Sequence, residues 1–222
     1  MARQRENMSE FKACTKWTSQ LRKALDSIGH LHEGHYFSYQ VAVAKLIQKQ
    51  DDVGLKGHRS VESSKCPRLL KILNFNALHP FDQVLAHQFD VLFSSDKRTV
   101  TLKLMGFRSF SRINWPSGFE VYRIALVIAQ QPDWIWDEQH GVFTPTVDNL
   151  ETLSVTTFSD RRQRSTEPED IILTASFAQP ALQVQGTMVV VALGLEVSAY
   201  QLDSSMANAT GVGTMKIVEC YV

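Results

Sequence analysis

The stretch "VVVALGLEVSAYQ" constrains the fold most, because Val189, Val191, Leu193, Leu195, Val197 and Ala199 place an apolar side chain at every second position without a break. Side chains alternate across a strand but recur every 3.6 residues in a helix, so this segment reads as a strand with one face on a core. In "RTVTLKLMG", Val100, Leu102 and Leu104 alternate with Thr99, Thr101 and Lys103 in the same way. Further strands are expected at 89–93, 120–129, 134–136, 142–145, 152–158, 171–177 and 215–221. Polar turns separate them, among them "SSDKR", "DEQHG" closed by Gly141, and the longer "SDRRQRSTEPED". Strands joined by turns, with no helices between them, predict an antiparallel sandwich or barrel-like domain rather than a parallel α/β sheet.

The opening part of the chain follows a different period. Met8, Phe11, Cys14, Trp17, Leu21, Leu25 and Ile28 are spaced by three or four, which predicts a helix over 8–28 with one stripe on a core and a stop at Gly29. Phe37, Val41, Ala44 and Ile47 predict a second helix over 37–50, followed by the loop "DDVGLKGHRS" and a short turn at 69–72. The expected architecture is α+β, mainly β: an N-terminal helical arm over 1–82, then an antiparallel β-sandwich over 83–222. With 222 residues, of which 44% are hydrophobic, the chain can bury a sizeable core.

Charge excludes some partners. Lys plus Arg and Asp plus Glu both total 23, so no overall imbalance recruits nucleic acid or an anionic membrane surface. No apolar run reaches the ~18 residues of a membrane helix. "MARQRENMSEFKAC" lacks the apolar run of a signal peptide, so no compartment follows; an extracellular or particle-associated location stays open should the chain continue upstream. Cys14, Cys66 and Cys220 are odd in number and lack CxxC spacing, which argues for free buried thiols over a disulfide framework or a zinc ribbon.

The nearest approach to site chemistry is "GHLHEGHYFSY", in which His30, His32 and His35 surround Glu33. A zincin helix needs His-Glu-x-x-His to bring two imidazoles onto one face; His32 to His35 is one residue short and contains Gly34. A metal on these three histidines is therefore the weaker expectation, and a connector between two helices the stronger. There is no GxSxG elbow, P-loop or complete dinucleotide fingerprint, and no cofactor is implied. "RRQR" at 161–164 is flanked by Asp160, Glu167, Glu169 and Asp170, which favours a solvated loop over a polyanion site. In "DWIWD", period two puts Trp134 and Trp136 on one side of a strand, where with Trp115 they could stack on a sugar or bury at an interface. The glycosylation tripeptides at Asn7 and Asn208 are read as chance matches.

"RQRENMSEF", opening an amphipathic helix that ends in "LRKAL", resembles the start of a family of uncharacterised Bacteroidota proteins. The family's G-x-R segment after the second helix has its counterpart in Gly57, His58 and Arg59, and "NWPSGFEVYRI", "LGLEVSAYQ" and "MKIVECYV" resemble its strands. The resemblance implies helices followed by a β-rich half, with further residues ahead of the first helix. It brings no catalytic residues.

Together these features lead to the expectation of a non-enzymatic structural or assembly protein that associates with copies of itself, for example as a subunit of an extracellular filament or phage-like particle. The alternative is a carbohydrate-binding module using Trp134, Trp136 and Trp115 on a glycan, and an enzyme using the histidine stretch comes third.

Overall fold

The computed structural model describes residues 2–33, 36–73, 75–148, 154–179, 184–198 and 212–222. The first apolar stripe does not stay one helix. Helix α1 (Ala2–Ala24) gives way to a 3₁₀ turn over Asp26–Leu31. The N–H of Leu25 is shared between the carbonyls of Leu21 and Arg22, which tightens the helix at this point. Ala13, Cys14, Trp17, Leu21, Leu25 and Ile28 are buried, as the periodicity predicts. Met8 and Phe11, expected on the same inward stripe, are instead 66% and 47% exposed. At that turn the inward position belongs to Glu10, whose carboxylate accepts from the Gly57 N–H (2.8 Å) and from Arg59 Nε and an Arg59 terminal nitrogen (2.7 Å each). Burial by itself would raise the Glu10 carboxyl; the Arg59 guanidinium and the Gly57 N–H outweigh it and hold the group below its ordinary value. The "SEF" and "GHR" stretches singled out in the sequence thus meet in one buried ion pair.

Helix α2 (Tyr36–Gln48) runs back along α1, with Gln48 accepting from Cys14 Sγ and donating to the backbone carbonyls of Glu10 and Arg59. Short 3₁₀ turns over Ser63–Lys65 and Pro67–Leu69 and the one-turn helix α3 (Phe81–Val84) lead into the sheets. The strands are β1 (Asp90–Phe93), β2 (Thr99–Phe107), β3 (Val121–Pro132), β4 (Trp134–Asp137), β5 (Val142–Pro145), β6 (Ser154–Phe158), β7 (Arg162–Gln163), β8 (Glu169–Ser176), β9 (Thr187–Ser198) and β10 (Val212–Tyr221), with a one-turn helix α4 (Ser109–Arg112) after β2.

All strand pairs are antiparallel. One sheet has the order β1-β2-β8; the larger has β10-β9-β3-β6, with the two-residue β7 also on β3; β4 and β5 form a separate hairpin. The fold is α+β and mainly β, as the change of period predicts.

β3 and β9 are apolar on both faces, and both are buried almost end to end. Leu126, Ile128, Val191 and Leu193 face Leu102, Leu104 and Ile171 of the smaller sheet, whereas Ala125, Val127, Val190 and Ala192 face Trp17, Leu21 and Ile47 of the helices. The helices expected to form an arm therefore make a third layer over the larger sheet. A sheet apolar on both sides has to be covered on both. This packing crosses the boundary placed at 82, because one core draws on residues before and after it. Gly194 and Gly213 make close approach possible: a Cβ on Gly194 would lie 2.7 Å from Leu31 Cδ1, and one on Gly213 would run into the Leu195 carbonyl oxygen.

The β10 edge of the larger sheet is not bare. Asn76 Nδ2 donates to the Gly213 carbonyl (2.9 Å), Lys71 pairs with Glu219 (2.5 Å), and Lys216 pairs with Asp82 along β10. Among the described residues, no helix is long and apolar enough to cross a membrane.

Candidate functional site

Where α1 ends, the 3₁₀ turn crosses toward the start of α2 and leaves a cavity of about 590 Å³ between them, in the size range of small-molecule pockets. Its floor is made by Leu25, Gln40, Phe75 and Met215, all at most 2% exposed. Its mouth carries Arg22 and Lys23 from the last turn of α1, Asp26, and the imidazoles of His30 and His32. Tyr36 forms a wall, with its ring 6.4 Å from that of Phe75 and 3.8 Å from that of His32. The Arg22 guanidinium lies 5.2 Å from the Tyr36 ring centre and 5.4 Å from that of Phe37, which orients it without neutralising it.

Gln40 is the unusual member. It is 1% exposed, and neither its Nε2 nor its Oε1 has a hydrogen-bond partner among the described residues. A buried amide without a partner costs free energy, and Gln131 of β3, also fully buried, shares this state.

Next to the cavity, Glu196 forms a charge cluster on the face of β9 that looks toward the helices. It is 5% exposed; Oε2 accepts from Arg123 Nε (2.9 Å), from an Arg123 terminal nitrogen (2.7 Å) and lies 3.0 Å from His30 Nε2, while Oε1 accepts from Arg161 (3.3 Å). Burial would raise the Glu196 carboxyl, yet the hydrogen bonds and charges of Arg123 and His30 hold it below its ordinary value. This cluster fixes one wall of the cavity, because His30 belongs to both.

The structure divides the expected histidine site. His30 turns to Glu196, and His32 sets Nδ1 against the Gly29 carbonyl and its ring against Tyr36. His35 lies outside the described residues, and among those described no three His, Cys, Asp or Glu side chains converge on a common point. Of this stretch, Gly29, His30 and Leu31 close the 3₁₀ turn and Tyr36 opens α2, and His30 and His32 line the cavity mouth.

The tryptophans do not form one platform. In β4 the exposed residue is Ile135; Trp134 and Trp136 turn toward the helical core, as period two requires of a pair on one side. Trp134 donates Nε1–H to Gln20 (2.7 Å) and lies 5.1 Å from Lys16 Nζ, and it borders a second hollow of about 450 Å³ with Lys16, Pro145 and Asp148. Trp136 is stacked on His58 at 3.9 Å and meets Phe143 edge-on at 5.0 Å. Trp115 packs instead against the core between the sheets, 4.5 Å from His79.

The "RRQR" segment, expected to be a solvated loop, is drawn onto the sheet. Arg162 and Gln163 pair with β3, Arg161 contacts Glu196, Arg162 contacts Glu169 (2.5 Å), and Arg164 lies 4.3 Å from the Phe110 ring. Arg22, Gln40 and Glu196 were not singled out by sequence reasoning. Gln40 carries a signal in retrospect, since it stands at i+4 from Tyr36 and i−4 from Ala44 on the inward side of α2.

A scan against models of known protein families matches none of them, and no curated protein matches the chain significantly.

Proposed function

We propose that this chain is a non-enzymatic binding protein that holds a small anionic molecule in the cavity between α1, the 3₁₀ turn and α2. The observation that carries this reading is the Arg22 guanidinium at the mouth of a cavity whose floor is largely apolar. A guanidinium keeps its charge at neutral pH and can hold an anion through its planar fork. The test is a thermal-shift screen of small organic anions. A ligand that binds only the folded state raises the melting temperature by mass action. At least one anion is expected to do so in the parent protein and to lose the effect in Arg22→Ala; a screen in which no anion raises it would end this reading.

A second reading, self-association as an assembly subunit, is favoured by the outer face of the helices. Met8 and Phe11 of α1 and Tyr39 and Leu46 of α2 are all exposed, and Lys45 Nζ lies 5.0 Å from the Phe11 ring, which ties the two rows together. A second copy could cover such a face. Sedimentation velocity across concentration tests it: association should weaken in Leu46→Glu, and a parent protein that stays monomeric at the highest concentration would refute it.

A further inference from the structure

The balance of 23 basic and 23 acidic residues over the whole chain conceals a division. Residues 1–60 carry ten Lys and Arg against six Asp and Glu, and the rest of the chain thirteen against seventeen. Much of the excess lies where the first half of α1 runs beside the last turns of α2, with Lys45 Nζ 5.0 Å from the Phe11 ring. Arg5 and Lys12 on α1, Lys45 and Lys49 on α2 and Lys56 in the loop that follows are all exposed. Of the acidic residues at this end, Glu10 is turned in to Arg59 and Asp51 into its own loop, which leaves Asp52 exposed and Glu6 half-buried. Apolar side chains stand among the cations. Met8 lies one turn from both Arg5 and Lys12, and Leu46 one turn from Lys49. Val53 and Leu55, at 87% and 75%, are the most exposed large apolar side chains among the described residues. Their loop is not slack: the Asp51 carboxylate accepts from the N–H groups of Val53 (3.0 Å), Gly54 (2.8 Å) and Ser60 (2.7 Å), and the Gly57 N–H is held by Glu10 (2.8 Å). Both side chains are thus held outward, and these N–H groups stay satisfied when water is excluded.

We infer that this end of the helical layer is a peripheral docking surface for an anionic lipid bilayer, with Val53 and Leu55 entering the acyl boundary and the five cations meeting headgroups. Lysines interleaved with apolar tips are the pattern that binds such a surface. A nucleic acid would meet the charge but offers the two aliphatic side chains nothing comparable to acyl chains. A two-fold contact between copies would bring the same cations together, so charge favours lipid over a second copy on this face. Asp52, next to Val53, is the one exposed carboxylate that opposes the contact. None of these residues lines the cavity, so the two readings stand or fall separately.

The experiment is co-sedimentation of the full chain with vesicles of phosphatidylcholine alone and of phosphatidylcholine mixed with phosphatidylserine, at low and high salt. Binding is expected to the mixed vesicles and should weaken as salt screens the charges. Leu55→Asp should reduce it by about tenfold or more, the change from withdrawing one large aliphatic side chain. The double variant Lys45→Ala, Lys49→Ala should reduce it roughly twentyfold, at about fivefold for each charge, and Asp52→Asn should tighten it. All these positions are exposed, and unchanged melting temperatures would confirm that each variant is folded. Binding to neither kind of vesicle, or equally to both, overturns the proposal. So does binding that Leu55→Asp leaves unchanged, which would mean that charge alone is read. A protein that ignores vesicles but self-associates through Leu46 would give the face to a second copy.

Discussion

Replacing Gln40 with leucine should make the ligand-free protein more stable. Gln40 is buried at 1% exposure in a helix whose neighbouring inward positions, Val43 and Ala44, are apolar, and both ends of its amide lack partners. From mutational data, burying such a group without compensation costs about 1–3 kcal/mol. Leucine has nearly the same volume, suits a helix and carries no polar atom to desolvate, so it should recover most of that cost. For a chain of 222 residues, a gain of about 1–3 kcal/mol corresponds to roughly 2–12 °C in melting temperature. Chemical denaturation of parent and variant, read at constant m-value, gives the free energy directly. The usual outcome of changing a buried residue is destabilisation, so the sign alone is informative. A variant less stable than the parent by about 1 kcal/mol or more would mean that the amide is satisfied in the free protein.

Other perturbations test the framework of the site. Removing one partner from a buried ion pair costs about 3–5 kcal/mol; Arg123 and Arg161 each keep 25% of their side chains exposed, so Glu196→Ala should lie near the lower end. Because the Glu196 carboxyl is held below its ordinary value of 4.5, its stabilisation is complete above that pH and is lost as the pH falls through the folded value. Denaturation across pH 3–7 should therefore show a shallower acid loss in Glu196→Ala than in the parent, and parallel curves would refute the assignment. Gly213→Ala should cost about 3 kcal/mol or more by forcing backbone apart at the Leu195 carbonyl, whereas Gly194→Ala, which meets only the end of the Leu31 side chain, should cost less than about 1.5 kcal/mol; equal losses would show that the 3₁₀ turn is not held this closely. Burial pushes the Cys14 and Cys220 thiols up to about 12, while Cys66 is partly exposed, so alkylation of the native protein followed by peptide mapping should find Cys66 modified first. Early labelling of Cys14 or Cys220 would indicate local opening of the core.

What the sequence by itself determined is local. The period-two run that became β9, the alternation in β2, the spacing from Cys14 to Ile28 and the pairing of two indoles on one side of β4 are all properties of neighbours along the chain, and they hold wherever the element packs. The continuous apolar run from Met188 to Leu193 marks a strand covered on both faces, but it could not tell which layers supply the cover. Nor could such patterns show that Met8 and Phe11 overrun the core, where Glu10 turns inward to Arg59 across 49 positions. The candidate site was less legible still. "GHLHEGHYFSY" drew attention through its histidines, yet the cavity beside it is defined by Gln40 from the next helix, Phe75 from a later loop and Met215 from the last strand. Glu196 finds His30 across 166 positions and Arg123 across 73. Spacing rules reach only as far as one element, whereas a pocket is made where separate elements meet. Tertiary packing alone decided which polar side chains would be paired and which would be left open.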